Sequence, residues 1–289
     1  MASLKEVKQR IASVRSTQKI TSAMKMVASA KLHKAQAAIG NMLPYQQRLH
    51  SILTNFLDDS GEAFSPFVEV RVVKRVAIVV FSSNTSLCGG FNANVIRRLM
   101  TILDEYKSLG KENILIFPVG KKVEDAVKKI GFELGGSYQS MANKPSYQEA
   151  ADLATDLMTR FLKGNVDKVE FIYNHFKNTA SQELMRSTFL PLSLNKKTVR
   201  ESDENLPDYI IEPNPDKLLE ELLPKVLRIE MFTALLDSNA SEHGARTMAM
   251  QTATDNADEL LQDLTVMYNK SRQQAITNEL LDIIGGSLS

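Results

Sequence analysis

The chain has 289 residues, 43% of them hydrophobic, which is enough for one large domain or two modest ones. Its one cysteine excludes an intramolecular disulfide framework, and no Cys/His cluster suggests a structural zinc site. No apolar run approaches the roughly 18 residues of a membrane span, and the N-terminus lacks the apolar core of a signal peptide. We therefore expect a mature protein in a reducing cytoplasm.

The net charge of +1 hides an uneven distribution along the chain. Residues 1–50 carry nine Lys/Arg and one acid, a balance of +8, whereas residues 241–289 carry seven acids and three Lys/Arg, a balance of −4. Opposite charges favour pairing of the two ends, although exposed ion pairs are individually weak. The surplus positive charge of the first segment predicts an acidic partner surface, with nucleic acid as the less favoured option.

Residues 3–39 form a helical run without Gly or Pro, far longer than the usual helix of ~11–12 residues. Twelve positions alternate steps of three and four, and nine of them are apolar, which is the pattern of a coiled-coil seam. These positions are Leu4, Val7, Ile11, Val14, Gln18, Thr21, Lys25, Ala28, Leu32, Ala35, Ile39 and Met42. A second apolar row, Ile20, Met24 and Val27, emerges beside the three polar seam positions, so we expect a third surface to contact the helix there.

The middle of the chain alternates strand-like and helical patterns. Such alternation predicts parallel strands with right-handed crossovers, and hence an α/β domain over 70–195. Strands are expected over Val72–Phe81, Asn113–Val119 and Lys168–Phe176, and helices over Ala93–Ser108, Lys121–Ile130 and Tyr147–Lys163. A polar linker over 196–214 follows, and we expect Pro224 to bend or restart the helix that begins near Asp216.

The Gly-rich junction after the first strand, Leu87–Asn92, invites a nucleotide-binding interpretation. It lacks both G-x-G-x-x-G and G-x-x-x-x-G-K-[ST], and no Lys follows the glycines to meet a phosphate. Gly89 and Gly90 therefore suit a tight turn and close helix packing. A nucleophilic role for Cys88 needs a partner base, and none of the four histidines stands in a supporting motif, so a small residue packed in the turn is the favoured interpretation.

Residues 245–284 form the second long helical run. It opens with a ridge of small residues, which we expect to let the two long helices approach closely: Ala245, Ala249, Ala253 and Ala257. The apolar stripe continues through Leu260, Leu261, Leu264, Met267 and Tyr268, fails at Ser271–Gln274, and returns as Ile276, Leu280, Leu281, Ile283 and Ile284. Two long helices at opposite ends of one chain bury their stripes most simply against each other.

No polar cluster of the sequence predicts an active site. His33 and His243 lie on the two long helices, where we expect both to be solvated. The acids Asp255, Asp258, Glu259 and Asp263 crowd one stretch of helix, but no His joins them at ligand spacing, so they indicate a solvated face rather than a metal site.

Four segments closely resemble the gamma subunit family of F-type ATP synthases in their order, spacing and total length. They are KITSAMKMVASAKL (Lys19–Leu32), LCGGFN (Leu87–Asn92), SEHGARTMAMQTATDNA (Ser241–Ala257) and YNKSRQQAIT (Tyr268–Thr277). The resemblance implies an α/β protein in which the terminal helices, 1–58 and 215–289, form an antiparallel coiled coil and 70–195 forms an inserted Rossmann-like domain.

The resemblance also implies a function. The chain would be a non-catalytic rotor shaft without cofactor, metal, nucleic acid or small-molecule substrate. Its coiled coil would turn inside a hexamer of alternating alpha and beta subunits, with the central domain near the epsilon subunit and the membrane ring of c subunits. The expected location is the cytoplasmic face of a bacterial cell membrane, as a peripheral protein, because no presequence of an organellar precursor is recognised.

The family's functional positions fall on named residues of this chain. The resemblance implies beta-subunit contact or rotor coupling for Met24, Lys25, Arg246, Arg272, Gln273 and Thr277, and it places the central-domain loop at Cys88, Gly89 and Gly90. Met24 matches a methionine that faces an acidic loop of a beta subunit. Arg246, Arg272 and Gln273 match polar residues that hydrogen-bond to beta or couple the rotor to it. An Arg side chain suits this role because its planar fork binds a carboxylate and the bond can be remade with the next subunit.

Two departures accompany the resemblance. The family usually has Ser-Asp-Arg/Lys-Gly before LCG, whereas this chain has Ser83-Asn84-Thr85-Ser86, which removes a charge pair and a glycine. The cysteine-bearing insertion of chloroplast relatives is absent, so thiol regulation of that type is not expected. Two alternatives stand beside the shaft hypothesis: a stand-alone Rossmann-type nucleotide-binding protein with a coiled-coil dimerisation element, and a basic coiled-coil nucleic-acid binder.

Overall fold

Two long helices bracket a five-stranded sheet in the computed structural model, which describes residues 3–59, 65–192 and 215–287. Helix α1 spans Leu4–Asp59 and helix α6 spans Pro215–Ser287. Lys25 contacts Gln251 while Gln18, earlier in α1, contacts Asp258, later in α6, so the pair is antiparallel. The predicted antiparallel pairing of the chain ends is confirmed.

The central domain lies between the two long helices in the chain. Its elements are β1 (Val76–Phe81), α2 (Phe91–Glu105), β2 (Ile114–Val119), α3 (Lys121–Ile130), β3 (Glu133–Leu134), α4 (Gln139–Asn143), α5 (Tyr147–Leu162), β4 (Lys168–Phe176) and β5 (Gln182–Leu190), with two 3₁₀ turns, Lys107–Leu109 and Lys111–Asn113, between α2 and β2. The predicted helix over Lys121–Ile130 and strand over Lys168–Phe176 have the predicted bounds. The first strand begins four residues later than predicted, at Val76, and Val72 is 80% exposed.

The sheet has the strand order β3-β2-β1-β4-β5, the order of a doubly wound α/β fold. Strands β3, β2, β1 and β4 are parallel, whereas β5 pairs with β4 in the antiparallel sense. Strands β3 and β5 were not predicted from the sequence, and the prediction of parallel strands alone is wrong for β5. A short hairpin joins β4 to β5 without a helix, and such a connection forces antiparallel pairing.

Each face of the sheet packs against helices. On one face, Val95, Leu99 and Ile102 of α2 and Val123 and Val127 of α3 cover the sheet. On the other face, α5 and the first part of α6 form a single core with the sheet, together with Leu53 of α1. Helix α6 is therefore part of the central domain's core before it becomes the partner of α1 alone.

Proline does not divide the long helices. Pro224 lies inside α6 and Pro44 lies inside α1. Of the two expectations for Pro224, a restart of the helix is wrong, because the core packing of Leu222, Leu223, Val226 and Leu227 holds the helix on both sides of it, and a bend stays a prediction. The linker predicted over 196–214 lies outside the described residues.

Candidate functional site

The seam between the long helices follows the predicted heptad on α1. All twelve predicted positions from Leu4 to Met42 are buried or half-buried, and Val7, Ala28, Leu32 and Ala35 are at most 6% exposed. The facing positions of α6 follow the same alternation of three and four: Met250, Thr254, Ala257, Leu261, Leu264, Tyr268, Ser271 and Ala275. The two helices thus pack as a coiled coil along this stretch.

The alanine ridge of α6 has a different partner from the one expected. Of its four alanines, Ala257 alone takes a position in the seam. A Cβ built on Gly89 would lie 3.9 Å from Cβ of Ala249, and one on Gly244 would lie 2.9 Å from a ring carbon of Phe176 in β4. Ala249 and Gly244 therefore let the central domain approach α6 closely, while Ala257 faces α1.

The stripe predicted after the ridge also needs correction. Leu260 and Met267 are 38% and 52% exposed and lie outside the seam. Ser271, where the stripe was expected to fail, is half-buried at a seam position. The heptad selects positions by spacing, so an apolar residue one step away from the seam faces outward.

Three hydrogen bonds join the helices where the seam is polar. Gln18 Nε2 donates to Asp258 Oδ1 at 2.8 Å, and the hydroxyls of Thr21 and Thr254 lie 2.9 Å apart. Lys25 Nζ donates to Gln251 Oε1 at 2.8 Å. These side chains therefore satisfy one another across the seam, and polar seam layers of this kind fix the register of a helix pair.

The charge asymmetry of the two ends does not produce ion pairs between them. Between residues 4–49 of α1 and residues 245–284 of α6, which form the coiled coil, no salt bridge joins the two helices. The basic residues Lys5, Lys8, Arg10, Arg15 and Lys19 are exposed. Seam packing and polar hydrogen bonds hold the pair, and the positive charge of α1 faces outward.

Apolar side chains are also left on the outside of the helix pair. Ile20 and Val27 of the second apolar row are 57% and 58% exposed, and Met24 between them is half-buried. The end of α6 presents a larger set, Ile276, Leu280, Leu281, Ile283 and Ile284, each 48–68% exposed. Contiguous exposed apolar surface of this kind marks a contact site for another molecule.

Arg246 connects α6 to the loop of the central domain. It forms an ion pair with Glu242 one turn earlier, and its other terminal nitrogen donates to Thr85 Oγ1 at 2.9 Å and reaches the carbonyls of Thr85 and Ser86 at 3.4 Å. Arg246 is 8% exposed. In this chain its guanidinium is therefore engaged internally, with a partner from the segment that departs from the family pattern.

His243 is buried beside the Arg246–Glu242 pair, so the expectation that it is solvated is wrong. It is 6% exposed, and burial, with Arg246 and Lys31 adding positive charge nearby, lowers its pKa to about 4. The same burial raises the pKa of Glu242, against the lowering effect of Arg246. His33 is exposed, as expected. The difference arises because α6 is enclosed at this level: Ala240, one turn earlier, packs against Leu32 and Ala35 of α1, and Arg246, one turn later, binds the loop of the central domain.

The loop at Cys88 is held by its own side chains. Cys88 is 1% exposed, and Asn92 Nδ2 lies 3.1 Å from its Sγ and 2.8 Å from Ser83 Oγ. Gly89 has a φ of +58°, and Leu87 has a φ of +66°, an uncommon conformation for a side chain that is 58% exposed. The geometry agrees with the interpretation of Cys88 as a small buried turn residue.

Asn84 fixes the other end of this loop. Its Nδ2 donates to the carbonyl of Gln139 at 2.7 Å, and its Oδ1 accepts the backbone N–H of Lys121 at 2.8 Å. The Asn84-Thr85-Ser86 segment therefore makes specific contacts with α3, α4 and α6 despite its departure from the family pattern.

The remaining predicted site residues lie apart from this loop, near the end of α6. Arg272, Gln273 and Thr277 are exposed, and Thr277 Oγ1 donates to the carbonyl of Gln273 at 2.9 Å. The acids Asp255, Asp258, Glu259 and Asp263 are exposed too. Within 3–59, 65–192 and 215–287 no group of three or more His, Cys, Asp or Glu is placed to hold a metal ion, and no helix has a stretch long and apolar enough to cross a membrane.

Two residues of this region were not predicted from the sequence, Glu242 and Asn174. The spacing of Glu242 and Arg246 by four residues was a signal for their ion pair. Asn174 carried no signal, since its contact with Ser241 of α6 joins residues 67 apart in the chain. Thr85 was noted only as part of the departure from the family pattern, and its bond to Arg246 joins residues 161 apart.

Comparisons with known proteins identify the family. The family model described as ATP synthase matches residues 3–289. The chain is 70% identical over 289 residues to the ATP synthase gamma chain of Phocaeicola vulgatus and 63% identical over 292 residues to that of Bacteroides fragilis, each covering 100% of both chains.

Solved structures share the fold. A chain of the Euglena gracilis mitochondrial ATP synthase matches with a TM-score of 0.63 and 21% identity, covering 99% of this chain and 93% of that one. A chain of the Tetrahymena thermophila central stalk and c-ring structure matches with a TM-score of 0.59 and 23% identity, covering 81% of this chain and 99% of that one. Together with the full-length match to the family model and to curated relatives, this shows that the chain belongs to the ATP synthase family, among its gamma chains.

Proposed function

We propose that this chain is the central rotor shaft of an F-type ATP synthase and couples proton flow through the membrane sector to ATP synthesis and hydrolysis at the beta subunits. The observation that carries the proposal is the contrast between the seam of the helix pair and its outer surface. One seam is closed along its length, while the surface around it exposes basic side chains and apolar ones such as Ile20, Val27 and Leu281. A shaft needs a stiff closed seam and an outer surface that contacts a surrounding ring.

The relatives' name supports the same role, since a chain 70% identical over its full length is an ATP synthase gamma chain. The proposed partners are the alpha and beta subunits around the helix pair, the epsilon subunit, and the c-subunit ring beside the central domain. In this role the chain is a peripheral component at the cytoplasmic face of a bacterial membrane. The proposed units are the helix 1–58, the Rossmann-like domain 70–195, the linker 196–214 and the helix 215–289.

Coupling follows from asymmetry. One shaft inside a ring of three beta subunits cannot contact all three alike, so it stabilises their sites in different states, and turning it exchanges those states. The driving energy is about 2.3 kcal/mol for each charge that crosses 100 mV of membrane potential. The chain itself carries no step of ATP chemistry in this mechanism.

The proposed contact residues fall into two groups. Arg272, Gln273 and Thr277 are exposed near the end of α6, and a beta subunit can contact them in the conformation that the structure shows. Met24 and Lys25 are half-buried at the polar layer, and Arg246 is engaged with Glu242 and Thr85. A beta contact of Arg246 therefore has to share or displace an internal hydrogen bond, whereas a contact of Arg272 does not.

Charge reversal in the assembled complex tests the proposal. Arg272→Glu is expected to reduce coupled ATP synthesis at least tenfold, because an exposed cation that binds a carboxylate becomes repulsive. Arg97→Glu, an equal change of charge at an exposed position of α2, is the matched control and should retain synthesis. Equal activity of the two variants, or a chain that purifies without alpha and beta subunits, contradicts the rotor role.

The stand-alone nucleotide-binding alternative has no support from the comparisons. It predicts a tight nucleotide site in the isolated chain, whereas the rotor proposal predicts none. Calorimetric titration of the isolated chain with ATP and with NAD distinguishes the two hypotheses.

A further inference from the structure

Helix α6 leaves the central domain between Arg246 and Thr254, a stretch that we name the joint. Among the residues that the structure describes, Arg246 is the last along α6 to hydrogen-bond to the central domain, through Thr85 and Ser86. Four earlier residues of α6 do so: Arg228, Asp237, Asn239 and Ser241. From Thr254 onward the helix packs along the seam with α1. The contact of Arg246 with Thr85 therefore lies where the central domain and the helix pair separate.

The guanidinium of Arg246 is held on the side of the helix. Its Nη1 forms the ion pair with Glu242, and its Nη2 donates to Thr85 Oγ1 at 2.9 Å. Arg246 and Glu242 are 8% and 7% exposed, so their ion pair is largely removed from water. Charge-assisted hydrogen bonds in such surroundings are stronger than those between neutral groups at a surface. Because the guanidinium is planar and rigid, the bond of Nη1 to Glu242 also fixes the direction in which Nη2 donates.

Thr85 extends this contact into the central domain. Its hydroxyl accepts from Arg246, and its carbonyl accepts from Ser83 Oγ at 2.6 Å and from Asn92 Nδ2 at 3.4 Å. Ser83 lies just after β1, Asn92 lies in the first turn of α2, and the backbone N–H of Ser83 donates to Asn92 Oδ1 at 3.0 Å. A force on Arg246 therefore reaches a strand and a helix of the central domain through Thr85.

The loop next to Thr85 has a backbone shape that its own sequence does not favour. Leu87 has a φ of +66° and is 58% exposed, so burial of its side chain does not offset the unfavourable conformation. A residue keeps such a conformation when the surrounding structure holds it. The bonds of Arg246 to Thr85 and Ser86 supply the polar contacts of this loop with α6.

We propose that Thr85 is a positioning residue that holds Arg246 and thereby locks the central domain to the helix pair at the joint. The lock makes the two parts of the chain turn as one body, a consequence that rests on the proposed rotor function. Without the hydroxyl of Thr85, Arg246 keeps its ion pair with Glu242 but loses its nearest acceptor on the loop. The remaining acceptors are the carbonyls of Thr85 and Ser86, both 3.4 Å away.

The guanidinium of Arg246 in the full-length chain tests the lock independently of rotation. The rate of rotation about its Nε–Cζ bond, measured by ¹⁵N exchange NMR, should rise at least threefold in Thr85→Val and return to the wild-type value in Thr85→Ser. Thr101→Val is the matched control, because it removes an exposed hydroxyl that donates to the carbonyl of Arg97 within α2. An unchanged rate in Thr85→Val, or an equal rise in Thr101→Val, overturns the role of Thr85.

The assembled complex tests the mechanical consequence. The alpha and beta subunits are fixed to a surface, and a gold rod is attached through Lys107→Cys, an exposed position of the central domain; Cys88 is 1% exposed and stays unlabelled. A looser joint lets the rod fluctuate more during each pause of ATP-driven rotation. The variance of its angle should rise by at least half in Thr85→Val and Thr85→Ala, and should keep the wild-type value in Thr85→Ser and Thr101→Val.

The outcomes of this experiment separate the lock from the rotor function. Rotation with an unchanged variance in both Thr85→Val and Thr85→Ala overturns the lock and leaves the rotor function standing. A wild-type chain that does not rotate contradicts the rotor function instead, and the NMR rate of Arg246 then decides the role of Thr85 by itself. Thr85→Ala keeps the test decisive if the branched side chain of valine prevents assembly.

Discussion

Helix α6 has two halves with opposite surroundings. From Leu219 to Arg246 it lies between α1 and the central domain, and most of its side chains are buried whichever way they point. From Thr254 to Ile284 it meets α1 along one seam and exposes the rest, including Val266 at 67% and Ile283 at 68%. Both halves contain apolar residues at similar frequency, so composition does not distinguish them. The difference shows that the first half completes its contacts within the chain, whereas the second half is built to be covered by other molecules.

The largest expected difference between the halves concerns core truncation. Leu235→Ala removes a side chain that is 2% exposed and should lower the free energy of unfolding by about 2–5 kcal/mol, because it leaves a cavity in the core shared with the sheet. Leu281→Ala, at a position 60% exposed, is the matched control and should change it by at most about 0.5 kcal/mol. Urea unfolding of the full chain measures both. Equal losses would show that the outer half is stabilised within the chain after all.

The next largest expected effect is a pH dependence of stability that arises from His243 in the buried half of α6. The folded pKa of His243 is about 4, against 6.5 for the unfolded chain. Between these values the unfolded state binds a proton that the folded state does not, so stability is full above pH 6.5 and falls as the pH drops toward 4. At about 1.36 kcal/mol per pKa unit the full loss is about 3 kcal/mol. His243→Gln should remove this part of the pH dependence, whereas His33→Gln on the exposed side of α1 should leave it in place.

Close packing of α6 on the sheet gives a smaller effect. Gly244→Ala places a Cβ 2.9 Å from Phe176, and the resulting overpacking should cost about 1–3 kcal/mol. Gly40→Ala in α1 meets nothing within 4 Å and should raise stability by up to about 1 kcal/mol, since alanine is the better helix former. Thermal unfolding compares the two variants. A stabilising effect at both positions would mean that β4 can move away from α6 without cost.

The smallest expected effect lies in the polar layer of the outer half. Thr21→Val or Thr254→Val removes one side of the 2.9 Å contact between their hydroxyls and should cost about 1 kcal/mol. The double variant should recover part of this loss, because two matched apolar groups replace two matched polar ones. A double-mutant cycle by urea unfolding gives the coupling energy. Additive losses would show that the hydroxyls act independently and that the layer does not set the register.

Heptad spacing was sufficient to place the seam of α1, because each side chain of a helix has a direction fixed by its position. The same reasoning failed on α6. Ala245 and Ala249 were expected to face α1, but they face the central domain, and His243 was expected in solvent but is buried. A helix with two partners has two buried faces, and spacing alone does not say which face meets which partner.

Prediction of the strands from the sequence has the same limit, because the sequence pattern does not give the pairing within the sheet. Lys168–Phe176 was recognisable as a strand because its apolar residues are β-branched or aromatic and form a short bounded run. Gln182–Leu190, at the sheet edge, groups its polar and apolar residues in twos and threes without the alternation typical of a strand, and it was missed, as was its antiparallel direction. Pairing direction depends on the connection, which a pattern of residues does not specify.

The sequence by itself determined the two long helices, their antiparallel pairing, the α/β character of the middle and the family. These follow from periodicity and from segment order, both of which are local or linear properties of the chain. Only the tertiary structure decided that Arg246 binds Thr85, that His243 is buried and that the carbonyl of Asn174 accepts a hydrogen bond from Ser241 of α6. Those facts depend on which distant segments meet at α6, and the distances between such segments are set by packing of the whole domain rather than by any neighbouring residues.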